Sequence, residues 1–452
     1  MGGLKGTVAM KQVQVLRTDP HMGAITMPEN LRVGLMINRQ REACSRIGCD
    51  ARFYNFAFGQ SPFPVPPPMV RALTSGAVRG EYTDAAGIPE LREAISNFYG
   101  RHFAISTGPE RVVVGNGTKE LMFMLFSMLD ATVIIPSPSW VGYAPILRLL
   151  GKSYVSLALE RERGYRIDPR DLAALLAKNP DRRHLLVLNN PNNPTGALYS
   201  QRELEEIAEV CRTYGCLVLA DEIYALTTYA FEHFVSMGVM YPEGTFVTGG
   251  LSKDRSAAGY RLGTCILPAD APDELLDDLT KVAATIRTSV AAPVQHAAVT
   301  AYSPSVEIEE YMRNIRSIHS IMCRYLSRAT AMIKGVGATQ PEGGFYFLAD
   351  FNALRDRLES AGIAGADDLS AAMLAHPHHI ATVGGEAIML PQENLSLRIA
   401  CVDYDGAAAL EHYRSDPPRS SLDEVAFVND AAPRMVDGIT AIRRFVEGVK
   451  KR

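Results

Sequence analysis

From Arg111 onward the chain alternates short apolar runs with longer stretches in which apolar residues recur every three or four positions. Short β-branched runs predict strands buried on both faces, and the three-to-four spacing predicts helices packed against them. Strands are predicted at residues 111–114, 132–135, 184–188, 216–220, 246–248 and 263–267, with helices at 119–129 and 203–214. This alternation implies an α/β fold with a mostly parallel sheet covered by helices on both faces. In such sheets ligands bind beyond the carboxyl ends of the strands. The conspicuous polar segments follow those ends: Gly115-Asn116-Gly117-Thr118, Pro136-Ser137-Pro138-Ser139-Trp140, Asn193-Pro194-Thr195-Gly196 and Asp221-Glu222-Ile223-Tyr224.

The flanks have a different texture. Residues 1–53 read as an N-terminal arm, part of a small domain, with one helical stretch at 30–47. The proline-dense run from Ser61 to Pro68 is extended and cannot pair as a central strand, so it reads as a stiff connector rather than a PxxP docking segment. A helix begins near Met69, a glycine-bounded loop spans 80–87, and a second helix covers 88–103. After Pro293 a long charged helical segment, 306–334, is suited to joining two domains. A turn and strand around Gly343-Gly344-Phe345-Tyr346, a helix near 366–375 and an alternating strand at 395–400 follow. Residues 405–433 read as a polar surface insertion, and 436–449 as an amphipathic closing helix. The division is a large domain at 54–300 and a smaller α+β domain at 301–452.

Composition narrows the function. With 452 residues, 47% hydrophobic and 21% charged, the chain is long enough for two domains and has the make-up of a soluble globular protein. A net charge of -4 gives no footprint for nucleic acid or acidic membranes. No apolar run reaches membrane-spanning length, and the N-terminus lacks a signal-peptide layout. A myristoylation reading of Gly2 fails because Gly6 stands where Ser or Thr is needed. Seven cysteines without a CxxC pair imply reduced thiols in a cytosolic protein; the Cys44/Cys49 and Cys211/Cys216 spacings fit neither zinc nor redox motifs. His376-Pro377-His378-His379 lacks thiols or acids at ligand spacing and reads as a polar loop, with no metal expected.

The chemistry centres on Gly250-Leu251-Ser252-Lys253 and the following residues to Arg261 and Gly263. A lysine in a tight, partly desolvated site is easier to deprotonate and can condense with an aldehyde. An arginine eight positions on offers a fork of donors for a phosphate. Amine plus phosphate grip is what pyridoxal 5'-phosphate (PLP) requires; the alternative is a solvated Ser-Lys turn with a surface arginine. Gly115-Asn116-Gly117 fails the dinucleotide fingerprint because Glu120 stands at the third glycine position, which also removes an NAD-dependent oxidoreductase. What survives is a phosphate cradle at a helix start, with the Thr118 hydroxyl added. Trp140, the sole tryptophan, suits either core packing or stacking on a flat ring. Asp221 suits either a helix N-cap or an ion pair with a pyridine nitrogen, which preserves the ring's capacity as an electron sink. Tyr224 and Asn193 are donors suited to a phenolic oxygen, although Asn in such a turn is usually structural.

Together with Tyr82-Thr83-Asp84-Ala85-Ala86-Gly87, these motifs resemble the class I/II aminotransferases of fold type I, the aspartate aminotransferase-like PLP enzymes, from about Tyr54 to the C-terminus. The resemblance implies that Lys253 carries PLP as an internal aldimine and then moves the proton of the reaction. It implies that Asp221 pairs the pyridinium, Asn193 and Tyr224 bind its O3', and Trp140 stacks on the ring. Gly117, Thr118, Lys119 and Arg261 lie around the phosphate, joined by Tyr82 from a second subunit of a homodimer. Arg398 takes the substrate α-carboxylate, with the Gly59 backbone closing over it. Arg287 resembles the arginine by which the partner subunit reads a dicarboxylate's distal group; otherwise it is a helix-end arginine in a surface ion pair. Two departures stand out: Gly250 replaces a phosphate-binding serine, leaving Thr248 or Ser252 as substitutes, and Val383-Gly384-Gly385-Glu386 lacks the usual texture before the final arginine strand. The implied function is a cytoplasmic aminotransferase moving an amino group between an L-amino acid and a 2-oxo acid in a ping-pong cycle. The alternatives are a PLP-dependent lyase or amine oxidase on the same scaffold, and a non-catalytic PLP-fold regulator, which would need a DNA-binding domain.

Overall fold

The computed structural model describes residues 22–23 and 25–449; the Gly2 position and most of the residues before the first helix lie outside them. Seven strands form the central sheet: β1 (Val112–Gly115), β2 (Thr132–Ser137), β3 (Tyr154–Ala158), β4 (His184–Asn189), β5 (Leu217–Asp221), β6 (Thr245–Gly250) and β7 (Gly263–Ile266). Their spatial order is β1-β7-β6-β5-β4-β2-β3, and β7 alone runs against the rest. Strand alternation sorts the apolar side chains onto two faces. Val113, Val133, Leu185, Val187, Leu219 and Phe246 meet the helices Thr118–Met128 and Asp273–Arg287 on one side. Val112, Val114, Ile134, Leu186, Leu188 and Val218 meet Pro89–Phe103 and Gln201–Tyr214 on the other. The helix Gln201–Tyr214 starts on a capping box between Ser200 and Glu203 and stops at left-handed Gly215.

The helix Val306–Ala331, capped by Ser305, buries Tyr311, Ile315, Ile318 and Met322 and leads into a second, four-stranded antiparallel sheet. There Ser396–Ala400 lies between Tyr346–Asp350 and Val383–Gly384, with Arg398 opposite Leu348 and Val383. The strand Tyr54–Asn55 pairs in parallel with Ile380–Ala381, so the chain after the first helix packs against the C-terminal half.

Three expectations need revision. β3 is missed by the apolar pattern because it is an edge strand in which only Leu157 is buried. Cys44 and Cys49 are joined as a disulfide, where reduced thiols were expected. The turn ending the helix Glu29–Arg46 brings their Cα atoms to 5.1 Å, within disulfide range. The other cysteines, Cys211, Cys216, Cys265, Cys323 and Cys401, are free and buried. Most of residues 405–433 fold as the helices Gly406–Ser415 and Ser421–Ala431, with Leu410, Phe427 and Val428 buried rather than carried on a polar surface. No helix among the described residues is long and apolar enough to cross a membrane.

Candidate active site

The carboxyl ends of β1, β2, β4, β5 and β6 open into one cavity of about 250 Å³, which reaches to Arg398 of the second sheet. At one end lies an anion cradle. Gly117 caps the helix Thr118–Met128 at φ +85, and a Cβ there would fall 2.5 Å from Arg261 Nη2. A Cβ on Gly263 would meet the Gly117 carbonyl carbon and the Thr118 nitrogen, both at 2.5 Å. The two glycines therefore let the lysine loop and the start of the helix touch, leaving unpaired helix-start N–H groups beside the Arg261 guanidinium. Arg261, itself left-handed at φ 54, is braced by the carbonyls of Ala258 at 2.8 Å and Asn116 at 3.2 Å. Gly250 is glycine for a steric reason: a Cβ would lie 2.7 Å from the Leu262 carbonyl oxygen. Of the two substitute hydroxyls, Ser252 lines the cavity, whereas Thr248 is fully buried and donates to the Ala220 carbonyl.

In the middle, Asp221 ends β5 at 4% exposure. Its Oδ2 accepts from the Tyr143 hydroxyl at 2.5 Å, and its Oδ1 is buried without a partner. Burial pushes its pKa up to about 6, with the Tyr143 hydrogen bond, the Ile223 N–H and the Lys253 charge pulling the other way. Lys253 Nζ donates to the Gly59 carbonyl at 3.1 Å and lies 5.4 and 5.3 Å from the ring centres of Tyr224 and Phe345. Asn193 is held by its backbone N–H to Asn189 Oδ1 at 2.7 Å and accepts from Arg398 at 3.4 Å, which leaves its amide nitrogen to donate. Trp140 lines the cavity with its ring edge-on to Tyr143 at 5.0 Å and Lys119 Nζ 5.3 Å over its face. Desolvation, then the charges of Arg261 and Lys253, lower the Lys119 pKa.

At the far end Arg398 is 1% exposed and donates to the Ala57 carbonyl, while its Nε is buried without a partner. A buried fork of donors with one unused N–H suits a carboxylate. Gly59 sits beside it, as expected of a segment closing over that group. Tyr82, expected to serve a second subunit, is 86% exposed and does not line this chain's own cavity.

Arg287, the last residue of the helix Asp273–Arg287, forms an ion pair with Glu120 and donates to the carbonyls of Ala85 and Val114; the pair is buried rather than on the surface. Glu120, the residue that breaks the dinucleotide fingerprint, also accepts from the Asn116 backbone N–H at 2.7 Å and side chain at 3.0 Å. The pair anchors the cradle loop from behind.

Sequence reasoning missed Tyr143, Tyr346, and the Asn30 and Leu31 side chains of the first helix, all of which touch or line the site. Tyr143 carried a usable signal, three residues after Trp140 on a strand-end loop. Asn30 and Leu31 carried none, since their nearness to the cavity depends on how the arm packs.

A family profile described as aminotransferase class I and II matches residues 52–408. A probable aspartate/prephenate aminotransferase of Aquifex aeolicus is 30% identical over 350 residues, covering 74% of this chain and 84% of the relative. An aspartate aminotransferase of Geobacillus stearothermophilus is 30% identical over 337 residues, covering 73% and 81%. Among solved structures, aspartate aminotransferase from Thermus thermophilus with maleate superposes with a TM-score of 0.77 over 95% of this chain and 100% of that one, at 24% identity.

Proposed function

The chain belongs to the aminotransferases of class I and II, and on that ground we propose that it moves an amino group between an L-amino acid and a 2-oxo acid in a ping-pong cycle, with PLP held at Lys253. Members of the family depend on PLP. The residues present fit it: an unpaired buried oxygen on Asp221, a glycine-lined anion cradle, and a lysine between them. When bound, PLP supplies an electron sink that lets the substrate α-carbon lose its proton. The Asp221 carboxylate would hold the pyridine nitrogen protonated, Asn193 and Tyr224 would donate to the phenolic oxygen, and Trp140 would cover the ring. Ser252, Thr118, Arg261 and the helix-start N–H groups would hold the phosphate. Arg398 fixes the α-carboxylate and thereby chooses which bond at the α-carbon is weakened, and Lys253 Nζ takes and returns the proton.

The observation carrying this reading is that Lys253, Asp221 with its unpaired Oδ1 and Arg398 with its unpaired Nε converge on one cavity. Purified protein given aspartate without an acceptor should accumulate pyridoxamine phosphate, and Lys253→Ala should lose about 10³-fold in turnover. Release of ammonia in place of pyridoxamine phosphate would turn the reading to a lyase or oxidase.

A preference for dicarboxylates is supported by the aspartate aminotransferases among the relatives. Lys119 lines the same cavity as Arg398 and is a candidate for the second carboxylate, beside the Arg287 of a second subunit. A homodimer is supported by Tyr82, left exposed and away from its own cavity. The cytoplasm is supported by five buried free thiols, while the Cys44–Cys49 bridge points the other way; thiol labelling of protein taken directly from cells decides it. The boundaries at residues 53 and 300 are kept as the proposed domain division, with the family match beginning at residue 52 in line with the first of them.

A further inference from the structure

Tyr346 opens the strand Tyr346–Asp350 and is 3% exposed, and none of the motifs singles it out. It touches three parts of the site at once. Its hydroxyl donates to the Gly59 carbonyl at 3.2 Å and accepts from the Tyr224 hydroxyl at 3.3 Å. Its ring lies 4.7 Å from the Arg398 guanidinium carbon.

The first contact matters most, because the Gly59 carbonyl is also where Lys253 Nζ donates. A carbonyl oxygen has two lone pairs; here one serves the lysine and the other the tyrosine. Any reaction at Lys253 takes its nitrogen off that carbonyl, and a partly buried acceptor left without a partner is unfavourable. With Tyr346 in place the acceptor stays paired throughout. The second contact works the same way from the other side. Tyr224 has a single proton to donate, and a phenolic oxygen bound in the cavity draws it away from Tyr346. When that ligand leaves, Tyr346 accepts the proton's hydrogen bond again. Gly59 is matched to this arrangement: a Cβ there would fall 1.7 Å from the Tyr346 oxygen, so only glycine admits the hydroxyl.

We propose that Tyr346 is a positioning residue whose hydroxyl keeps Gly59 and Tyr224 paired while Lys253 leaves and returns, and whose ring sets the plane of Arg398 for the α-carboxylate. This rests on Lys253 as the attachment point of PLP. Tyr346→Phe separates the hydroxyl from the ring. Its kcat with aspartate and 2-oxoglutarate should fall about tenfold, with KM for aspartate within about twofold. Its affinity for PLP, followed by quenching of Trp140 fluorescence, should weaken by about three- to tenfold. Tyr346→Leu removes the ring as well and should add a rise of about tenfold in the aspartate KM. A Phe variant equal to wild type in kcat and PLP affinity overturns the proposal, as does one whose only change is a lower melting temperature. Absence of a borohydride-stable adduct at Lys253 in the wild type removes the underlying reading together with the proposal, whereas a silent Phe variant removes the proposal alone.

Discussion

Tyr143 and Asp221 show how a carboxylate can be kept charged in a dry site. Burial raises the Asp221 pKa to about 6 even with the Tyr143 hydroxyl, the largest of the opposing influences, holding it down. In Tyr143→Phe that donor is gone, so the carboxyl protonates at higher pH. Its acid limb of kcat should move to higher pH, with kcat at neutral pH lowered about tenfold, read from a pH–rate profile. Arg287 makes a contrasting case. Its ion pair with Glu120 is buried, and truncation strands the glutamate that holds the Asn116 loop. Arg287→Ala should therefore lose about 3 kcal/mol of stability in denaturant unfolding.

At the level of elements, the sequence is most legible where a strand is buried on both faces. β2, β4 and β6 are covered end to end, so their apolar runs stand out against the polar loops after them. β3 hides because its outer residues face solvent at the sheet edge. Tyr346 hides for the opposite reason: every residue of its strand is buried, so no alternation marks which side faces the cavity. The site residues at strand ends were legible because glycine, proline and asparagine punctuate them. The ion-pair partner of Arg287 was not legible because the sequence cannot show that Glu120, 167 positions away, turns toward it. The segment after Asp405 was misread by its polar composition, since a helix needs only one apolar stripe to pack. Phe427 supplies part of that stripe at 3% exposure, whereas Leu422 on the same helix is 80% exposed. Phe427→Ala should cost about 3 kcal/mol in denaturant unfolding. Leu422→Ala should change it by less than about 0.5 kcal/mol.

Across the whole molecule, stability should depend on pH through a group the chemistry does not use. Glu222 accepts from Ser236 and the Met237 N–H, its second oxygen is buried unpaired, and burial raises its pKa from 4.5 to about 8. A carboxyl whose pKa is raised by folding favours the folded state fully below its unfolded value, and that contribution is lost as pH rises through the folded value. The melting temperature of cofactor-free protein should therefore fall between about pH 4.5 and pH 8, and Glu222→Gln should flatten the slope in calorimetry. The cavity has a further consequence at this scale. Its walls come from the first helix, five strand ends of one sheet and two strands of another. A molecule lodged there acts as a rivet through parts of the chain more than three hundred residues apart. Vitamin supply would then govern how long each copy of the protein survives as well as how fast it turns over, because the unliganded chain is the one that opens.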